Sequence, residues 1–189
     1  MPKTVDHDQR RDEIVRATWR IIAKHGMARA TMRQIASEAG YANGALKPYF
    51  PTKADLLGAT YRHVFDRTNR RAAEVNASLR GFDALESFCR EVMPLDAERL
   101  DEARVVIEFW AEATTDEEAF ELHREAVAEW REWMLGWLEE HDAGRGWDVE
   151  VDGLLTFLQG TQVTAVFAPA QNTPERLEAQ LQGQLAPLR

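Results

Sequence analysis

Residues 31–57 read TMRQIASEAGYANGALKPYFPTKADLL, and this stretch decides the fold class. It contains the pattern Thr-x-x-Gln at Thr31 and the pattern Thr-x-x-Asp at Thr52. Both patterns are typical of a helix N-terminus, because the two side chains satisfy backbone N–H groups that the first turn leaves without a partner. The stretch therefore predicts short helices over 31–39 and 43–50, followed by a longer helix.

Helix signals extend over the rest of the chain, and strand signals are scarce. Apolar residues recur at spacings of three and four, further capping pairs begin at Asp83 and Thr115, and Thr173 precedes a proline that suits the first helical position. The sequence predicts an all-α fold of about nine helices, over 8–25, 31–39, 43–50, 52–80, 83–93, 96–112, 115–142, 148–168 and 174–186.

The second and third of these helices are separated only by Gly40-Tyr41-Ala42. A turn of this length that contains glycine is typical of a helix-turn-helix, whose second helix enters the DNA major groove. Arg33, Asn43 and Lys47 would then face outward. The alternative is an ordinary three-helix bundle, since helix pairs with tight turns are common.

Charge is divided unevenly along the 189 residues, whose net charge is -9. Residues 1–55 carry 10 Lys/Arg against 6 Asp/Glu, a net charge of +4, and every lysine from Lys3 to Lys53 lies there. Residues 56–189 carry 13 Lys/Arg against 26 Asp/Glu, a net charge of -13. This balance excludes a uniformly basic protein that adheres to any nucleic acid or anionic membrane, and it indicates that the N-terminal part meets something negative.

Several other classes of protein are excluded by what the sequence lacks. The single cysteine, Cys89, forms no intramolecular disulfide, and the five histidines show no zinc-binding or H-E-x-x-H spacing. We therefore expect that the protein is not an enzyme and that it binds no metal and no cofactor. His123 is interpreted as a packing residue or a ligand contact. No apolar run is long enough to cross a membrane, so we expect a cytoplasmic protein without a membrane partner.

The N-terminal part contains a set of residues in a fixed order and spacing: Arg11, Ile14, Ala17, Ile21, Ile22, Gly26, Ala30, Thr31, Ile35, Ala36, Ala39, Gly40, Gly44, Leu46, Tyr49, Phe50, Lys53, Leu56 and Leu57. With these residues it resembles the DNA-binding region of the TetR family of transcriptional regulators. The resemblance implies a homodimeric, all-α regulator, usually a repressor, that binds double-stranded operator DNA and a small-molecule effector. Residues 1–52 would form the helix-turn-helix domain and residues 53–189 the ligand-binding and dimerisation domain.

The resemblance also implies roles for individual residues. Thr31 and Lys53 match positions that hold phosphates, which agrees with the preference of helix N-termini for anions. Tyr49 matches a position that often touches the DNA backbone, although simple core packing explains it as well. Gly44, Ala45, Lys47 and Pro48 match the base-facing part of the recognition helix.

The sequence departs from the family pattern at Ala42, at Asn43 and at Lys47-Pro48. Asn43 stands where a basic residue is frequent, and it is a candidate N-cap. Pro48 lacks the N–H that would bond the carbonyl of Gly44, so we expect it to tighten or kink the short helix. We also expect Pro48 to offer DNA only an apolar surface while Lys47 reaches a guanine or a phosphate.

Five of the six tryptophans lie in the acidic C-terminal part, and several of them stand beside glutamates. Aromatic faces near carboxylates suit a cationic ligand, because both attract an ammonium group. The alternative is a packed core with solvated glutamates. The runs EFWAEA, LHREAVAEWR and DGLLTFLQGTQ are similar to the C-terminal domain of regulators near the choline-responsive repressors of betaine synthesis. This similarity implies an amine or quaternary ammonium effector, with ligand contacts at Phe88, Phe109, Trp110, Glu112, Trp130 and Trp133.

The helices over 115–142 and 148–168 are predicted to form the dimer interface. One apolar face runs along the second of them, and Gly160 would allow a close approach of two helices. A dimer would hold two recognition helices roughly 34–36 Å apart, as a palindrome requires. The predicted interface residues are Leu122, Trp137, Leu154, Leu155, Leu158, Gly160 and Ala165.

The sequence leads to one main functional hypothesis and one alternative. In the first, the effector-free dimer binds a palindromic operator, and effector binding displaces the helix over 52–80 and releases the DNA. In the alternative, the chain is a small-molecule-binding or helical interaction protein without operator binding, and Pro48 is the observation that motivates it.

Overall fold

The structure is a computed structural model that describes residues 6–42 and 44–189. The described residues form eight α-helices and two 3-10 helices and contain no strand, which confirms the all-α prediction. The α-helices are α1 (His7–His25), α2 (Met32–Glu38), α3 (Lys53–Asn76), α4 (Gly81–Val92), α5 (Ala97–Ala113), α6 (Glu117–His141), α7 (Asp148–Phe167) and α8 (Pro174–Leu185).

Three of the predicted helix starts are confirmed by their hydrogen bonds. The Thr52 hydroxyl accepts the Asp55 N–H at 3.0 Å, and the Asp55 carboxylate accepts the Thr52 N–H at 2.8 Å, which completes a capping box. Thr31 and Thr173 cap α2 and α8 through their side chains. These starts follow from local hydrogen bonding alone.

The predicted caps at Asp83 and Thr115 are wrong. Helix α4 begins earlier, at Gly81, because a carboxylate oxygen of Glu140 on α6 accepts the Gly81 N–H at 3.0 Å. Helix α6 is capped by Asp116, whose carboxylate accepts a first-turn N–H at 2.8 Å. In the first case a tertiary contact supplies the acceptor, so the helix does not depend on a local cap.

The helix predicted over 43–50 is also wrong, because residues 44–49 form consecutive turns. The Lys47 N–H points to the Gly44 carbonyl at 3.4 Å, which is a bond between residues three apart instead of four. The backbone is therefore wound more tightly here than in an α-helix, as Pro48 predicts. The change is larger than a kink within a helix, because the helix itself is lost.

Two features of this turn segment explain the loss of the helix. Pro48 has no N–H and cannot donate to the Gly44 carbonyl. Gly44 has a φ of +92°, in a region that side-chain-bearing residues rarely adopt and that is incompatible with a helix. The segment is held instead by Leu46 and Phe50, which are 2% and 1% exposed in the core beneath it.

Two apolar cores organise the chain. The first core joins α1, α2, the turn segment and the first half of α3 with parts of α5 and α6. The second core joins the end of α3 with α4, α7, α8 and the later part of α6. Because α3 runs unbroken through both cores, the N-terminal bundle is packed directly on the C-terminal helices.

No helix within the described residues is both long enough and apolar enough to span a membrane.

Candidate DNA-binding surface and effector cavity

The residues predicted to meet DNA lie on α2, on the turn segment and at the start of α3. Thr31, Arg33, Gly44, Lys47 and Pro48 are exposed, and Ala45 is half-buried. Asn43 lies outside the described residues. The charged side chains of Arg33 and Lys47 are therefore accessible to a nucleic acid, whereas the Thr31 hydroxyl already bonds Gln34 as the cap of α2.

Tyr49 ties the turn segment to α1. Its carbonyl accepts a hydrogen bond from Arg11 Nη1 at 2.6 Å, and its hydroxyl accepts one from Arg10 Nη1 at 3.4 Å. The Arg11 guanidinium also lies over the Phe50 ring, 4.4 Å from its centroid. Tyr49 therefore fixes the orientation of the turn, whether or not it also touches DNA.

Lys53 is the first residue of α3, and its ammonium group donates to the Met27 carbonyl at 3.0 Å. Met27 opens a 3-10 helix (Met27–Arg29) between α1 and α2. Since an ammonium group has three N–H donors, Lys53 keeps donors for a phosphate while it is held in place. The N–H groups of the α3 N-terminus face the same end and favour an anion.

A partly enclosed cavity of about 40 Å³ lies between α3, α4, α5, α6 and α7. Its lining includes the aromatic rings of Tyr61, Phe65, Trp110 and Trp130. Aliphatic side chains form part of the wall, and its polar and charged residues are Thr68, Arg99, Glu102, His123, Gln159 and Gln162.

Only Trp110 and Trp130 of the predicted ligand contacts line this cavity. Phe88 is fully buried in the second core, where its ring packs edge-on against Trp130 and Trp133. Phe109 lies behind the wall, with its ring stacked on Tyr61 at a centroid distance of 3.9 Å.

The side chains of Glu112 and Trp133 line other grooves. Glu112 faces the groove between α1, α3 and α6, and Trp133 faces a shallower groove between α3 and α6. Neither side chain lines the cavity between α3 and α7.

The cavity wall carries unusual polar groups. The buried Nε1–H of Trp110 has no hydrogen-bond partner in the part of the chain that the structure describes. The Tyr61 hydroxyl lies 3.3 Å from Nδ1 of His123. Burial raises the pKa of Tyr61 and lowers the pKa of His123, so both groups favour their neutral forms. An unpartnered buried donor is costly, so the Trp110 Nε1–H is available to an acceptor on a water or on a bound molecule.

Glu102 is the buried carboxylate of the cavity, and its side chain is 6% exposed. Its two oxygens accept hydrogen bonds from Nη1 and Nη2 of Arg71 on α3, both at 2.8 Å. Hydrogen bonding to Glu102 is the main reason that the pKa of Arg71 is raised. This bidentate pair clamps α3 to α5 beside the cavity.

Most residues of the cavity were not predicted from the sequence, and Tyr61, Phe65 and Glu102 are three of them. The two aromatic residues continue the apolar stripe of α3, a signal that also describes core residues. Glu102 gives no signal among the many glutamates of α5 and α6, because only the fold buries it.

The predicted interface residues are divided between the interior and the surface of the chain. Leu122 and Trp137 are half-buried against their own chain, and Gly160 is exposed with open space around it. The others are buried in the second core: Leu154, Leu155, Leu158 and Ala165.

Family models match both parts of the chain. Residues 14–60 match the model for bacterial regulatory proteins of the TetR family, and residues 82–188 match the BetI-type transcriptional repressor C-terminal domain. The chain therefore belongs to the TetR family, with a C-terminal domain of the BetI type. It is a DNA-binding transcriptional regulator of a ligand-responsive family, not an enzyme.

Individual relatives agree with this assignment. The regulator PksA of Bacillus subtilis is 29% identical over 182 residues, which cover 94% of this chain and 89% of PksA. The regulator BetI of Stenotrophomonas maltophilia is 36% identical over 77 residues, which cover 41% of this chain and 39% of BetI.

Solved structures share the fold over almost the whole chain. A transcriptional regulator from Rhodococcus superposes with a TM-score of 0.85 and is 26% identical, covering 94% of this chain and 95% of its own. A regulator from Saccharomonospora viridis in complex with choline has a TM-score of 0.86 at 19% identity, covering 95% of this chain and 96% of its own.

Proposed function

We propose that the chain is a dimeric repressor that leaves a palindromic operator when a small cationic amine binds in the cavity. The observation that carries this proposal is the course of α3. The helix begins at Lys53 on the DNA-facing surface, and Tyr61, Phe65 and Thr68 of the same helix line the cavity. A ligand that repositions α3 therefore changes the DNA-binding surface.

Operator binding is supported by the exposed cations of the N-terminal bundle. Lys47 and Arg33 are exposed, and Lys53 stands at a helix N-terminus. The acidic C-terminal part would repel DNA and restrict contact to this end of the molecule. The proposed regulator would bind its DNA in the cytoplasm.

Replacing Lys47 with alanine is expected to lower operator affinity about tenfold, because a contact to a base edge or a phosphate is lost. The measurement is fluorescence anisotropy with a duplex selected by the wild-type chain from a random pool. Wild-type affinity should fall steeply as salt rises, and the slope should be shallower for Lys47→Ala if the contact is to phosphate.

Arg124→Ala is the control for Lys47→Ala, since it removes an exposed positive charge from α6 in the acidic part. Equal affinities for Lys47→Ala and the wild type would remove Lys47 from the interface. If the wild-type chain selects no duplex at any salt concentration, the alternative of a binding protein without an operator is favoured.

The amine is supported by the chemistry of the cavity and by a structural neighbour. Four aromatic rings line the space, and a cation held near ring faces is attracted by their quadrupoles. A quaternary ammonium head group has no N–H donor, so it can approach the negative charge of Glu102 while Arg71 keeps the hydrogen bonds of that carboxylate. The neighbour from Saccharomonospora viridis was crystallised with choline.

Trp110→Phe is expected to weaken choline binding by about two- to tenfold, because it keeps an aromatic ring and removes one hydrogen-bond donor. Choline contains a hydroxyl oxygen that would accept from the unpartnered Trp110 Nε1–H. Isothermal titration calorimetry with choline chloride measures the change. Trp147→Phe removes an indole donor remote from the cavity and should leave the affinity unaltered. No saturable heat from the wild type would reject choline.

We propose that the dimer forms through the exposed face of α7 that includes Gly160. Val149, Val163 and Phe167 are 81%, 37% and 73% exposed on this face, although they are apolar. Nothing lies within 4 Å of a side-chain carbon placed at Gly153 or Gly160, so a second helix has room to approach. The buried leucines of α7 would then support the interface from behind. Sedimentation of Gly160→Glu, compared with the wild type, tests this face.

A further inference from the structure

The Glu102 carboxylate stands between the cavity and two arginines of α3. One side of the residue lines the cavity, and the residue is 4% exposed. Arg71 binds both carboxylate oxygens at 2.8 Å, whereas Arg67 Nε lies 3.5 Å from one of them. The contact with Arg67 is therefore the weaker of the two.

Arg67 also touches the N-terminal bundle. Its guanidinium carbon lies 4.6 Å from the centroid of the Trp19 ring on α1, which is a cation–π contact. Its third partner is Glu98 on α5, whose side chain is 53% exposed. Arg67 thus joins the carboxylate on the cavity wall to the first helix of the DNA-binding bundle.

The alternatives for this connection are less direct. The 3-10 helix that follows α1 also contacts α5, because the Glu108 carboxylate accepts the Met27 N–H at 3.3 Å. Glu108 does not line the cavity, however, whereas Val106 and Trp110 line it and pack on the first core through apolar contacts. Among these groups, only Arg67 contacts both a carboxylate of the cavity wall and α1.

We propose that Arg67 is the positioning residue that reports occupancy of the cavity to the DNA-binding bundle, and that Glu102 is the carboxylate for which the bound cation competes. A cation in the cavity shares the charge of Glu102 and weakens its hold on Arg67. Arg67 then shifts toward Glu98, and its contact with Trp19 is altered. The geometry of α1 relative to α3 changes as a result. This inference rests on the proposed function.

Glu102→Gln tests the relay without a ligand, because the amide has the shape of the carboxylate and lacks its charge. Arg71 keeps Glu91 at 3.1 Å, and Arg67 keeps Glu98, so neither arginine is left without an acid. Glu102→Gln should lower affinity for the selected operator about tenfold. Arg67→Met retains the apolar stem against Trp19 and removes the charge, and it should lower the affinity by a similar factor.

The decisive readout is the double variant. If Arg67 carries the signal, Glu102→Gln should lower operator affinity less than threefold further in the Arg67→Met background. A merely structural loss would instead multiply the two effects. Arg70→Met is the matched control, since Arg70 is exposed on the same helix, and in its background the full tenfold effect of Glu102→Gln should remain. Circular dichroism of each variant verifies that it is folded.

Choline chloride provides the second arm of the experiment. It should lower operator affinity of the wild type and have less than a third of that effect on Arg67→Met. Equal effects of Glu102→Gln with and without Arg67 would overturn the relay while leaving the repressor intact. A wild-type chain that selects no operator would overturn the proposed function, and the relay with it.

Discussion

Phe109→Ala should lower the free energy of unfolding by about 3–5 kcal/mol, as expected for a large aromatic residue removed from a packed core. Phe109 is 1% exposed and stacks on Tyr61 at 3.9 Å. It also belongs to the core that joins the N-terminal bundle to α5 and α6. The truncation therefore leaves a void where the bundle meets the wall of the cavity. Urea denaturation at one fixed protein concentration measures the change, since dimerisation contributes to stability.

Phe120→Ala is the matched control for this truncation. Phe120 lies on α6, and it is 54% exposed. The same chemical change at this surface position should alter the free energy of unfolding by less than about 0.5 kcal/mol. A loss below 1 kcal/mol for Phe109→Ala would contradict its assignment to the core.

Arg71→Met should lower the free energy of unfolding by about 3 kcal/mol, because it leaves buried carboxylates without their main cation. The side chains of Glu102 and Glu91 are 6% and 12% exposed, and Arg71 contacts both. After the change, Glu102 retains only the Arg67 contact at 3.5 Å, and Glu91 retains Arg99 at 3.5 Å. Thermal and urea unfolding of the variant measure the loss.

Arg131→Met provides the comparison. Arg131 also contacts two carboxylates, those of Asp148 and Asp152, at 2.6 and 2.7 Å. Those aspartates are 70% and 60% exposed, so water solvates them once the arginine is gone. We expect a much smaller loss of stability than for Arg71→Met. Equal losses would show that burial does not set the strength of the Arg71 pairs.

Much of the secondary structure could be predicted from local sequence. The capping box at Thr52 and the caps at Thr31 and Thr173 depend on groups within three residues of each other, and all three predictions are confirmed. Asp83 failed as a cap because the acceptor for the first turn of α4 comes from Glu140, which lies 59 residues away along the chain. No local pattern contains such a contact.

The structure of the turn segment could be predicted only in part. The sequence indicated that Pro48 would disturb the helix, because the missing N–H is a property of the residue itself. The positive φ of Gly44 and the anchoring of Leu46 and Phe50 depend on the core underneath. Together they convert a predicted short helix into consecutive turns.

The sequence by itself determined that the chain is helical, that its N-terminal end is basic and that the two short elements there are separated by a tight turn. Only the tertiary structure decided which aromatic residues surround the cavity. Phe109 and Trp110 are neighbours on one helix, and successive side chains point about 100° apart. Which of them faces the core and which faces the cavity depends on how α5 is rotated against α3 and α6. That rotation is set by packing between distant parts of the chain, which also buries Glu102 beside Arg71 and leaves most other glutamates in water.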